Sequence, residues 1–124
     1  MPAKVVDASA LGALVFGEPK AESVARELSE ASLIAPSLLW YELASICLKK
    51  IRNNPAKSAQ LLSAMRFAGR LSIKLAEVDH VETIALAQRT HLTTYDAGYL
   101  WLAQKIGAKL VTLDRKLLKA VESG

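Results

Sequence analysis

Four acids in this chain stand in or beside apolar frames, where a charge needs a reason. They are Asp7 after Val5-Val6, Glu42 in Trp40-Tyr41-Glu42-Leu43, Asp96 after Thr93-Thr94-Tyr95, and Asp114 after Leu110-Val111-Thr112-Leu113. Brought to one edge, such carboxylates would repel one another and their pKa values would rise unless a cation sat among them. Hard oxygen donors with no accompanying His or Cys cluster select magnesium or manganese over zinc, and magnesium takes a few carboxylates while leaving positions for water and a substrate phosphate. Hydrolysis of a phosphodiester is the chemistry such a site supports: the ion makes a bound water acidic enough to attack phosphorus and stabilises the leaving oxygen. No covalent nucleophile is required.

Taken singly, each acid has a plainer use. Asp is a favoured N-cap, so Asp7 and Asp114 could each close a helix that follows a strand. Asp96 begins a helix in which Thr93, Thr94 or Tyr95 could be the cap instead. Glu42 borders an apolar stripe formed with Leu38, Leu39 and Ile46, where its charge needs either a metal or a cation such as Lys49 two turns on. Ser9 and Thr112 each lie two residues from an acid and could orient a carboxylate or a phosphate oxygen; a helix-entry hydrogen bond and a β-branched strand residue are the structural alternatives. His80 and His91 have no metal-ligand spacing and read as surface residues.

Positioning these acids requires a sheet with helices between its strands. Short apolar runs at Lys4–Val6, Leu33–Ala35, Leu71–Leu75 and Lys109–Thr112 read as strands. Helical spacing covers Ala8–Phe16, Lys20–Ala31, Val81–His91 and Asp96–Ile106, the last with Leu100, Trp101 and Ala103 facing inward. Pro36 and Ser37 open a helix that runs to about Arg52; Asn53-Asn54-Pro55 breaks it and Ala56–Ala68 resumes, making a helical hairpin. The expectation is an α/β fold of three layers, with a central parallel sheet of four to five short strands flanked by helices. Asp7 and Asp114 then fall at the carboxyl ends of strands, where open parallel sheets carry their ligand sites.

With 124 residues and 52% apolar content the chain is the size of one domain, expected over 1–124. No run approaches the length of a membrane span and the first residues lack a signal peptide's apolar region, so a cytoplasmic protein is expected. Cys47, the one thiol, fits that compartment and sits among Leu43, Ile46 and Leu48 as core filler. The net charge of +4 favours an anionic partner. From Leu43 to Ala76 there is no acid, while Lys49, Lys50, Arg52, Lys57, Arg66, Arg70 and Lys74 supply seven cations. That stretch suits an RNA backbone or an acidic protein; a solvated helical face is the alternative.

The frames Val5-Val6-Asp7-Ala8-Ser9-Ala10, Trp40-Tyr41-Glu42-Leu43-Ala44-Ser45, Leu92-Thr93-Thr94-Tyr95-Asp96-Ala97 and Leu110-Val111-Thr112-Leu113-Asp114-Arg115 together resemble the PIN-domain family, in particular toxins of the VapC type from prokaryotic toxin–antitoxin pairs. The resemblance spans essentially the whole chain, with the four acids in the family's order. It implies a PIN-like sheet flanked by helices and a magnesium- or manganese-dependent endoribonuclease. It also implies a homodimer and a cognate antitoxin that inserts a segment near the site. Asp7, Glu42, Asp96 and Asp114 match the family's acidic quartet, and Ser9 and Thr112 its accessory hydroxyls. Where some members carry a further acid after the fourth, this chain has Arg115 and Lys116, which leaves one ion or two open. Lys49, Lys50, Arg52 and Arg115 are candidates for contacting RNA or the partner, and Trp40 or Trp101 for an apolar contact with the antitoxin. Two other readings compete: a non-catalytic nucleic-acid or protein binding module with a structural metal site, and an aspartyl-phosphate enzyme with Asp7 as nucleophile. The second lacks the usual acid two residues on, where Ser9 stands.

Overall fold

A computed structural model describes residues 1–123 of the chain. Its elements run β1 (Ala3–Val6), α1 (Ala8–Val15), α2 (Ala21–Leu28), β2 (Ser32–Pro36), α3 (Leu39–Asn53), a 3-10 turn at Pro55–Lys57, α4 (Ser58–Ala68), β3 (Ile73–Ala76), α5 (His80–Thr90), α6 (Thr94–Ile106), β4 (Lys109–Val111) and α7 (Arg115–Ser123). The four strands form one parallel sheet in the order β3-β2-β1-β4, with Val5 opposite both Ile34 and Leu110. A parallel sheet must be covered on its faces. α6 lies on β1, β2 and β4 and packs with α5 and α7, while α1 packs with α2, α3 and α4. The architecture is the expected PIN-like α/β/α fold with four strands. No helix among the described residues is long and apolar enough to cross a membrane.

Val5, Val6, Leu11, Leu39, Leu43 and Leu117 are fully buried, each contributing about 2 kcal/mol of apolar transfer. Leu39 and Leu43 are four residues apart, so they turn one face of α3 inward and leave Glu42 at its margin. Gly12 lets α1 and α3 cross closely: a Cβ there would stand 3.4 Å from Ile46 Cδ1 and 3.6 Å from Leu43 Cδ1. Cys47 is buried beside these residues, as core filler should be.

Two local expectations are corrected. Pro36 does not open α3; it is the last residue of β2, paired in register with Ala76, and Ser37 lies exposed in the turn that follows. The ladder between β2 and β3 holds that segment extended, and α3 starts at Leu39 with no side-chain cap. Trp101 is only partly buried against the core rather than fully inside, and its indole N–H donates to Glu82 Oε1 on α5 at 2.8 Å. Its neighbours Tyr99 and Leu102 take the buried positions.

Candidate active site

The strand order explains where a site can form. The chain leaves β1 toward β2 on one side and returns to pair β4 on the other, so the topology reverses between β1 and β4. Asp7 and Asp114 follow the carboxyl ends of those two strands. α6 brings Asp96 in its first turn, and α3 brings Glu42. All four acids line one cleft of about 780 Å3, together with Ser9, Ser45, Tyr41, Tyr95 and Tyr99.

Asp7 is the most constrained of the four, only 4% exposed. Its Oδ1 accepts from Ala10 N at 3.0 Å, which caps α1, and from Ser9 Oγ at 2.7 Å; its Oδ2 accepts from Thr112 Oγ1. Each hydroxyl also accepts an amide, Ser9 Oγ from Leu113 N at 2.9 Å and Thr112 Oγ1 from Asp114 N at 3.0 Å. Ser9 and Thr112 therefore fix the Asp7 carboxylate and the loop after β4 together. Thr112 is thus more than a β-branched strand residue, and it lies just beyond β4.

Asp114 also caps a helix, with Oδ1 accepting from Leu117 N at 3.0 Å, and its other oxygen has no hydrogen bond among the described residues. Asp96 is not a cap. That role belongs to Thr93, whose Oγ1 accepts from Asp96 N at 3.1 Å, and the Asp96 carboxylate is left facing the cleft. Glu42 is compensated neither by Lys49 nor by any other cation in contact; Tyr99 donates its hydroxyl to Glu42 Oε1 at 2.7 Å. Burial and the adjoining Glu42 carboxylate keep that phenol protonated. Tyr99 has no sequence signature beyond standing three residues after Asp96 on the same helix, which places both on one face.

Burial is the main cause that pushes the carboxyls of Asp7, Glu42 and Asp96 above their ordinary range, and the acids then raise one another. Asp114 and Asp7 act on Asp96; Asp96 and Asp7 act on Glu42. Among the described residues no Lys, Arg or His forms an ion pair with any of the four. The contacting ion pairs lie elsewhere, as at Glu27, which holds Lys4 and Lys109 near the amino ends of β1 and β4. A carboxyl raised on folding binds its proton more tightly in the folded state. Above the raised value the folded protein therefore carries an unfavourable charge that the unfolded chain avoids. In chelator, stability should rise as pH falls from neutral through these raised values toward the ordinary carboxylate range. Urea unfolding midpoints at pH 7.5 and pH 5 measure this, and a lower midpoint at pH 5 would contradict it.

The cations expected to meet RNA or a partner are distributed unevenly. Lys49 and Arg52 are exposed on α3, and Arg115 is exposed at the start of α7. Lys50 is already engaged, its ammonium paired with Glu18 and 5.9 Å from the Phe16 ring. His80 and His91 are exposed, as expected.

Among the described residues no three His, Cys, Asp or Glu side chains converge into a ready-made metal cage. What the cleft offers is sparser: both oxygens of Asp96, Oδ2 of Asp114 and Oε2 of Glu42, none of which is occupied by a hydrogen bond. Few, hard and partly open donors match an ion that keeps much of its own water.

Comparison with known proteins identifies the family. The family described as the PIN domain matches residues 4–122. Ribonuclease VapC3 of Pyrobaculum aerophilum is 37% identical over 118 residues, covering 91% of this chain and 90% of that protein. The crystal structure of PAE2754, also from Pyrobaculum aerophilum, superposes with a TM-score of 0.78 at 31% identity, over 96% of this chain and 84% of that one. The fold also matches Mycobacterium tuberculosis VapC20, described as a toxin that cleaves the sarcin–ricin loop, with a TM-score of 0.66 at 13% identity over 94% of each chain. With the family pattern spanning almost every residue and the fold superposing on its members, the chain belongs to the PIN-domain family.

Proposed function

We propose that this chain is an endoribonuclease dependent on magnesium or manganese, acting as the toxin of a toxin–antitoxin pair, with 1–124 forming one nuclease domain. The observation that carries the reading is that Asp7, Glu42, Asp96 and Asp114, from four distant parts of the chain, line one cleft where, among the described residues, none of them forms an ion pair. The name of the ribonuclease relative supports RNA as substrate.

Asp96, Asp114 and Glu42 would hold the ion through their open oxygens, with Asp7 behind them. Once bound, it would supply an activated water and charge stabilisation at phosphorus. Tyr99 orients Glu42 and keeps one of its oxygens occupied. Ser9 and Thr112 hold Asp7 rigid, which favours reproducible placement of the group that reacts. The amino ends of α1, α6 and α7, capped by Asp7, Thr93 and Asp114, meet at the cleft, and the positive ends of their dipoles favour a phosphate there. Asp7 is a poor covalent nucleophile, since both of its oxygens already accept hydrogen bonds.

Purified protein should cut RNA in the presence of magnesium, lose that activity in chelator and regain it on re-addition of the ion. Absence of cleavage with either magnesium or manganese would leave the alternative of a non-catalytic binding module with a structural metal site. The caps made by Asp7 and Asp114 are the feature in that module's favour. A homodimer and a cognate antitoxin that covers the cleft complete the proposal, in a cytoplasmic setting. The exposed Lys49, Arg52 and Arg115 are available to RNA or to that partner, with Lys50 available only if it leaves Glu18.

A further inference from the structure

A second groove, of about 700 Å3, lies between α5, α6 and α7, and its chemistry is the reverse of the acid cleft. Its floor is apolar, formed by the buried Leu86, Leu92 and Leu100. Its rim is cationic. Arg89 at the end of α5 and Lys116 and Lys119, one turn apart on α7, supply its charge, and all three are exposed. Among the described residues no acid lines the groove, and none of these cations forms an ion pair. Three acids sit on these helices: Glu82 is committed to Trp101 Nε1, Asp96 lines the acid cleft, and Glu122 lies outside the lining. His91 has left-handed backbone, φ +60°, a conformation that costs an ordinary side chain about 1 kcal/mol or more and that glycine would adopt freely.

The two sites adjoin. Asp114 lines the acid cleft and Lys116, two residues on, lines the groove; α6 likewise gives Asp96 to the cleft and Leu100, about one turn on, to the groove. The groove residues come from positions 86 to 123, apart from the basic stretch between Leu43 and Ala76. An apolar floor with cations along its margin suits a nucleotide whose base is unstacked and whose phosphates pass along the rim.

We propose that this groove is a subsite for single-stranded RNA flanking the bond to be cut, with phosphates on Lys116, Lys119 and Arg89 and a base on the Leu86, Leu92 and Leu100 floor. The proposal rests on the ribonuclease reading for its position along the substrate, and its binding chemistry can be tested without cleavage. A fluorescent 12-nucleotide single-stranded RNA is titrated in chelator, with anisotropy as readout, against the wild type, an Arg89→Ala/Lys119→Ala variant and a Lys20→Ala/Arg26→Ala variant. The last removes the same charge from α2 and the residue before it, which contribute nothing to the groove.

The groove variant is expected to weaken binding about tenfold near 0.1 M salt. It should also lower the slope of log affinity against log salt by about 1.4, or ~0.7 for each phosphate of a single strand that is no longer neutralised. The α2 variant should bind as the wild type does. Equal losses in the two variants would mean that net charge alone attracts RNA and would overturn the subsite. So would unchanged RNA affinity in the groove variant, including the case where sedimentation shows that variant altering self-association, which would assign the groove to a second copy. Magnesium-dependent cleavage by the wild type is scored separately. Groove-dependent binding without cleavage keeps the subsite and removes the ribonuclease; cleavage with groove-independent binding does the opposite.

Discussion

Asp96→Asn is expected to lower magnesium-supported RNA cleavage by about 100-fold or more while raising the melting temperature in chelator by about 1–3 °C. The two effects have one origin. The Asp96 carboxylate makes no cap and no ion pair, its own N–H is satisfied by Thr93, and its charge is opposed by burial and then by Asp114 and Asp7. Removing that charge relieves a repulsion and leaves the helix start intact. The comparison with Asp7→Asn is informative, because an amide at position 7 would set an NH2 donor against a hydroxyl that is already donating. That variant should lose activity and stability together. If Asp96→Asn instead destabilised the protein in chelator and cut RNA at the wild-type rate, the acid would be a structural residue and the catalytic reading would fail.

Thr112→Val should destabilise the fold by about 2–3 kcal/mol, although it conserves volume. The methyl that replaces the hydroxyl can neither donate to Asp7 Oδ2 nor accept from Asp114 N–H, so a buried carboxylate and an amide lose partners in one step. Thr112→Ser should restore most of the loss. The sign of its pH dependence follows from the same bond. Donation by Thr112 favours the charged form of Asp7; without it the carboxyl rises further, and the deficit should be larger at pH 7.5 than at pH 5. Urea unfolding of the three proteins at both values tests this, and a Val variant as stable as the wild type would show that the hydroxyl contributes nothing.

The order of elements and the identity of the quartet were readable because both rest on local signals. Apolar runs separated by helical spacing demand parallel pairing, and an acid directly after such a run marks the functional edge. Tyr99 was not readable as a partner of Glu42, since 57 residues separate them and the bond forms only because α3 and α6 border the same cleft. The identity of the cap at Thr93 depends on a backbone turn that Thr94 or Tyr95 could equally have made. Pro36 looked like a helix opener because Pro fits a first turn, but pairing with β3 extends the strand through it. α7 is implied in the sequence only through the cap at Asp114. The groove above the Leu86, Leu92 and Leu100 floor was hidden for a simpler reason: its cations are single residues on two helices that do not follow one another in the chain.

The hydroxyl bridge between Asp7 and Thr112 has a consequence for synthesis. β1 is made first, yet its edge partner β4 and the second hydroxyl that steadies Asp7 arrive more than a hundred residues later. A nascent chain still holding Lys109 to Leu117 inside the ribosome has an open strand edge, an Asp7 secured on one oxygen and no Asp114 at the cleft. The four-acid cleft is therefore complete only after the last strand and the cap of the last helix have packed onto the earlier part of the chain.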